Sequence, residues 1–339
     1  MIFARFSFAA AAALLLTGAP IQAQAQPQFS DKLSFATNWV AQAEHGGFYQ
    51  ALTDGTYRKY GLDVNIIQGG PNVNNRLLLP VGRIDMFMSA NTLQSFDAVE
   101  NKVPTLAVAA IFQKEPQVFV AHPDQGINKF EDLKWLTLFV SKEGIGTYYQ
   151  WLKSEYGFDE RKVKPYTFNA QPFLADKRSA MQGYVTSEPY AIEKLGFKPK
   201  VFLLADHGFD AYSTLIETRR DLVEQKPALV QRFVDASIIG WYNYLYGDNR
   251  SANAMIKQHN REVTDELLSY SVAKMREYGI VDSGDSEALG IGAMTDARMK
   301  SFYDKMVRAG VVKRSVDPAR AYTLQFVNKK VGLELRPKN

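Results

Sequence analysis

The stretch NWVAQAEHGGFYQA, Asn38 to Ala51, sets an indole, a carboxylate, an imidazole and two glycines close together in the chain. Trp39 offers a flat apolar face that stacks on a planar ring, or that packs as ordinary core. Glu44 and His45 together read an amino group and a ring nitrogen of a heterocycle, since a carboxylate accepts and a neutral imidazole both donates and accepts. A structural His bonded to a loop carbonyl has the same sequence appearance. Gly46 and Gly47 let backbone N–H groups approach a bound group at a helix start, or simply turn a strand into a helix.

Three further segments carry comparable groups. In MFMSAN, Asn91 offers a two-way amide contact or caps the helix that follows. In SKEGIGTYYQW, Gly144 precedes a helix and offers its amide, while Ser141 and Thr147 add hydroxyls. The G-x-G spacing there lacks the third glycine and the later acidic residue of a dinucleotide site. In GYVTSEPYA, Glu188 is a carboxylate suited to accepting two N–H bonds, or a helix-starting acid ahead of Pro189. Tyr184 and Tyr212 are candidate aromatic walls.

Catalysis and metal chemistry find little here. There is no cysteine and no G-x-S-x-G elbow, and His45, His122, His207 and His259 show no metal-ligand spacing. The sequence predicts no catalytic residue, no metal and no cofactor.

The elements that must position these groups alternate. KLSFAT (32–37) reads as strand, 46–61 as helix closed by a glycine, LDVNIIQ (62–68) as strand, 74–84 as a helix with a Pro break and 85–90 as strand. Strands follow at 105–112 and 117–122; then come a strand at 136–141, a helix at 145–156, and strands at 164–168, 201–206 and 213–219. From 222 to 247 the spacing is helical. This is an α/β pattern with mostly parallel sheets, and binding loops are expected at the carboxyl ends of the strands.

The first 25 residues predict a signal peptide: Arg5, the apolar run Phe6 to Leu16, and Ala23-Gln24-Ala25 as a small-x-small cleavage site. The remaining 314 residues (339 − 25) exceed one hydrophobic core and predict two lobes. Lobe one is expected over 30–115 and 213–339 and lobe two over 116–212, with two crossovers forming a hinge and a ligand in the cleft between them. The net charge of +4, or +3 without Arg5, is spread without a basic stripe, which excludes a nucleic-acid reader.

NWVAQAEHGGFYQA, YRKYGLDVNII, GRIDMFMSAN and GYVTSEPYA, in that order behind an export signal, resemble the solute-binding proteins of ABC importers, in particular the nitrate/sulfonate/taurine group and its thiamine-pyrimidine-precursor branch. The resemblance implies a type II periplasmic binding protein with two Rossmann-like lobes joined by two hinge crossovers. It also implies a periplasmic location, a small-molecule ligand, and an ABC permease with its ATPase as partner of a monomeric receptor. Glu188 resembles the acidic residue that pyrimidine-binding members set against an amino-substituted ring. Fungal pyrimidine synthases are similar in fold but use a Lys, a His and a Cys-rich loop, and here the matching strand end reads Met88-Ser89-Ala90-Asn91.

Overall fold

The computed structural model describes residues 1, 2, 30–70 and 73–337. The signal-peptide segment therefore lies, apart from its first two residues, outside the described part. Among the described residues ten strands form two five-stranded sheets. The first comprises β1 (Asp31–Ala36), β2 (Leu62–Ile67), β3 (Met86–Asn91), β4 (Thr105–Phe112) and β10 (Ser213–Arg219), in the order β2-β1-β3-β10-β4. The second comprises β5 (Gln117–Ala121), β6 (Thr137–Val140), β7 (Val163–Pro165), β8 (Ser179–Tyr184) and β9 (Lys200–Leu203), in the order β7-β6-β8-β5-β9. Within each sheet the first three strands run parallel, and one strand from the far side of a crossing enters antiparallel: β10 between β3 and β4, β5 between β8 and β9. The predicted α/β class and two-sheet organisation are both present.

Burial follows position in the sheet. Every residue of β4, TLAVAAIF, is buried, as an apolar run covered on both faces must be. The edge strand β2, LDVNII, alternates buried Leu62, Val64 and Ile66 with exposed Asp63 and Asn65.

Several predicted elements are shorter or broken. The helix expected over 46–61 stops at Thr53, because Gly55 takes φ +78° and restarts the chain as a short turn at Thr56–Lys59. Of 74–84 only a single 3₁₀ turn, Asn75–Leu78, forms, since Pro80 and Gly82 end it. The 145–156 segment divides into Lys142–Gly146 and Tyr148–Tyr156. The long helix from 222 divides into Arg220–Gln225 and Pro227–Tyr246, because the residue before a proline is pushed out of helical geometry. Strand 164–168 ends at Pro165, and 201–206 turns into a 3₁₀ segment after Leu203.

The chain crosses between the sheets at 113–116 and returns at 208–212. Phe112 and Ser213, on either side of this excursion, pair across β4 and β10. The C-terminal segment touches both sides: the Ala110 N–H of β4 donates to the Gly292 carbonyl at 3.0 Å, and the Ser271 hydroxyl donates to the Thr186 carbonyl at 2.7 Å.

Candidate functional site

A cavity of about 250 Å³ lies between the two sheets. Its walls are the carboxyl ends of parallel strands and the loops after them: Asn38 and Trp39 after β1, Ala90 and Asn91 at the end of β3, Ser141 after β6, Gly183 and Tyr184 at the end of β8. Open α/β sheets place ligands in this location.

Trp39, half-buried on one rim, faces Phe168 on the other, with ring centroids 6.0 Å apart and planes tilted by 36°. Phe168 is 67% exposed and sits in the left-handed region at φ +59°. Below them lie the polar groups. Glu44 is buried at 5% exposure, and its Oε1 accepts from the Thr186 hydroxyl of the opposite side. Burial lifts its carboxyl above the ordinary range; the Thr186 hydrogen bond opposes this, and the charge of Glu188 adds to it. His45 is fully buried, and neither ring nitrogen has a partner in the protein. Desolvation lowers its pKa to about 3, so the imidazole is neutral.

Glu188 Oε2 accepts from the backbone N–H of Tyr184 at 2.7 Å and from Ser187 Oγ at 2.5 Å. Burial again raises its pKa against those bonds. A Cβ at Gly183 would stand 2.6 Å from the Cβ of Glu188, so the glycine is what lets this carboxylate fold back over the strand end. Asn91 fills both of its expected places: its Oδ1 caps Leu93 N at 3.1 Å, and the residue lines the cavity.

Ser141, Gly144 and Thr147 line the cavity with their polar groups engaged inside the chain. Ser141 Oγ takes the Gly144 N–H at 3.1 Å, and the Thr147 hydroxyl donates to the Glu143 carbonyl at 2.8 Å. Gly144 therefore does not present a free amide.

Three sequence candidates lie elsewhere. Gly46 and Gly47 do not line the cavity; a Cβ on Gly46 would fall 2.0 Å from the Tyr244 ring, and one on Gly47 2.2 Å from the Trp241 ring. They are glycines because helix Gly46–Thr53 lies tight against helix Pro227–Tyr246, where Gly240 in turn makes room for the Gly47 carbonyl. Tyr212 lies behind the site. Its hydroxyl donates to Asp285 and accepts from Thr295 N, and Arg298 stacks on its ring at 4.1 Å.

The sequence reading missed Asn38, Glu115, Gln182 and Phe168, all in the lining. Gln182 Oε1 receives the Ser141 N–H at 2.6 Å and the Tyr148 hydroxyl at 2.8 Å. Asn38 Oδ1 and Glu115 Oε2 are buried with no protein partner. The described lining holds four carboxylates, Glu44, Glu115, Glu143 and Glu188, and no Lys or Arg. Chemically this is an acceptor-rich, aromatic-capped pocket: it can hold a flat ring with N–H donors, and it has no cation to meet an anion.

A family model described as NMT1/THI5 like matches residues 42–248, about three fifths of the chain. The chain belongs to the NMT1/THI5-like family. Among curated relatives, this NMT1/THI5-like protein is 22% identical over 319 residues to the riboflavin-binding protein RibY of Chloroflexus aurantiacus, covering 92% of this chain and 90% of the relative. It is 26% identical over 105 residues to the 4-amino-5-hydroxymethyl-2-methylpyrimidine phosphate synthase of Schizosaccharomyces pombe, covering 31% and 30% of the two chains. Among solved structures, the periplasmic aliphatic sulphonate binding protein SsuA of Escherichia coli superposes with a TM-score of 0.63 at 13% identity, covering 86% of this chain and 91% of that one. The fold of this family member is thus that of the periplasmic binding proteins. Among its described residues no helix is long and apolar enough to cross a membrane.

Proposed function

We propose that this protein is the periplasmic receptor of an ABC importer, and that it captures a small planar nitrogen heterocycle of the thiamine-precursor aminopyrimidine type. The observation that carries the reading is the lining: four glutamates and no basic residue, under the Trp39–Phe168 pair. A sulfonate or nitrate in this cavity would find no cation in the lining to pair with, and each glutamate that is ionised would repel it, at a cost of several kcal/mol. An amino-substituted ring instead supplies a donor for the bare acceptor Asn38 Oδ1 and a polar edge for the unpartnered Glu115 Oε2.

A flavin is the second reading, favoured by the likeness to RibY over nearly the whole chain. The cavity of about 250 Å³ lies below the ~300–1,000 Å³ usual for drug-sized ligands, which favours a single ring over a fused tricycle.

The mechanism is closure. The crossings at 113–116 and 208–212 act as the hinge, and ligand shifts the population toward the closed form to the extent that it touches both walls at once. The closed form then docks on the permease and delivers its cargo, with no covalent step. Titration calorimetry of the purified protein tests the assignment: the hydroxymethyl aminopyrimidine precursor of thiamine or its formylamino analogue gives a saturable signal, and taurine gives none. Saturation by taurine alone would overturn it, and saturation by riboflavin alone would select the second reading.

A further inference from the structure

Glu115 sits on the first crossing between the sheets, 3% exposed, with Oε2 unpartnered in the cavity wall. The contact of its Oε1 is the Tyr184 hydroxyl at 3.5 Å, the outer limit of a hydrogen bond. The groups facing it come from every neighbouring element. Ser213 of β10, whose hydroxyl donates to the Ala90 carbonyl at 2.7 Å, Asn91 of β3 and the Tyr184 hydroxyl of β8 lie around it and favour its charged form; Glu143 opposes that form, and Tyr148 completes the wall.

The cations nearest along the crossing are engaged. Lys114 pairs with Asp206 at 2.7 Å, and Arg298 lies 3.5 Å from Asp285 while donating to the Gln113 carbonyl. Among the described residues of the lining no positive group is left to balance an ionised Glu115. A buried carboxyl in that position keeps its proton, and burial raises its pKa to about 8.

We propose that Glu115 reads the ligand as an uncharged carboxylic acid: its O–H donates to a ring nitrogen and its C=O accepts from an amino group on the neighbouring carbon. This rests on the heterocycle reading above and deepens it. An ionised carboxylate offers acceptors alone and would set a lone pair against the ring nitrogen. The protonated form holds a donor and an acceptor side by side in one plane, complementary to the edge made by an amino carbon and its adjacent ring nitrogen. One proton bridges the pair. No net transfer takes place: below about pH 8 ligand enters and leaves with the site's proton count unchanged, and above it binding takes up the proton that the free carboxylate has lost. Glu115 thereby selects rings that carry one donor next to one acceptor, and it rejects anions by having no positive charge to offer.

The test is calorimetric titration of the hydroxymethyl aminopyrimidine into wild type, Glu115→Gln and Glu115→Met, from about pH 7 to about pH 9.5, with a thermal melt of each protein. The amide of Gln keeps the donor and acceptor pair without a titratable proton. We expect Glu115→Gln to bind within about threefold of wild type and independently of pH, and Glu115→Met to lose about thirtyfold, the value of two ordinary hydrogen bonds. Wild-type affinity should hold to about pH 8 and then fall by up to tenfold per pH unit as the proton is lost. The wild-type profile needs no variant, so it stands even if a variant melts early. Wild-type binding that stays level through pH 9.5, or Glu115→Gln binding as weakly as Glu115→Met in a folded protein, would show a charged carboxylate and overturn the inference while leaving the heterocycle reading intact. Absence of any aminopyrimidine binding by wild type, with riboflavin or taurine binding in its place, would overturn both.

Discussion

The Glu44 carboxylate, carried on the loop after β1, accepts a hydrogen bond from the Thr186 hydroxyl, carried on the loop after β8. The two belong to opposite walls of the cavity, so this bond exists only while the walls are together. Thr186 is itself held from behind by Ser271, whose hydroxyl donates to its carbonyl.

Thr186→Val keeps the shape and removes the donor, leaving a buried carboxylate without its partner. That costs about 1–3 kcal/mol, and it falls on the closed form. Apparent affinity should drop roughly tenfold or more with the cavity side chains unchanged. Small-angle scattering of the liganded variant should show a larger open fraction than wild type; identical profiles would mean that the bond does not hold the walls.

Phe168 is mostly exposed, so its ring stabilises little in the ligand-free fold. Phe168→Ala should leave the melting temperature within a degree or two and weaken binding by about 0.5–1.5 kcal/mol, the usual worth of an aromatic pair. Trp39 fluorescence reports the event directly. A variant that binds as tightly as wild type would reduce the 6.0 Å pair to an incidental contact.

Gly47→Ala is a test of packing against binding. The added methyl would meet the Trp241 ring at 2.2 Å, well inside contact distance, and overpacking of this kind costs about 1–3 kcal/mol. Denaturant unfolding should show that loss, with affinity of the folded fraction unchanged. A stable variant that fails to bind would return the glycine to the ligand.

His45 sets an acid limit. Its folded-state pKa is depressed from 6.5 to about 3, so between those values the unfolded chain binds a proton that the folded one refuses. Stability from this group is therefore complete above about pH 6.5 and is lost as pH falls toward 3, at up to ~1.4 kcal/mol per pH unit. His45→Gln removes the slope. Between about pH 6 and 4 the wild type should lose stability more steeply than the variant, measured by urea midpoints; parallel curves would mean that the ring reaches solvent.

Glu188→Gln should weaken ligand binding more than Glu160→Gln. Glu188 lines the cavity, whereas Glu160 is an exposed partner of Lys153, and exposed ion pairs are worth ~0–1 kcal/mol. Equal affinities for the two variants would take Glu188 out of recognition.

Much of this arrangement was legible in the chain, and the parts that were not have physical reasons. Periodicity found the strands because buried runs such as TLAVAAIF and alternating ones such as LDVNII are local signals. It overextended helices wherever a single Gly or Pro, as at Gly55 or Pro227, outweighed a continuing apolar pattern. Trp39, Glu44, His45 and Glu188 stood out because polar or aromatic residues at strand ends have few structural uses. Gly46 and Gly47 misled, because the rings that require them, Tyr244 and Trp241, are nearly two hundred positions away. Glu115 had a cue that was passed over: a lone acid in the short link QKEP between two fully buried strands. Phe168 had none, since its exposure and left-handed backbone appear only in three dimensions.

The pairing of Phe112 with Ser213 makes the whole second sheet a single loop-out from adjacent strands of the first. The cavity lining is then drawn from two stretches of chain, one on each side of that junction. Glu44 stands before this seam and Glu143 and Glu188 beyond it, so either wall can change its chemistry by substitution while the β4–β10 pairing that joins them stays as it is.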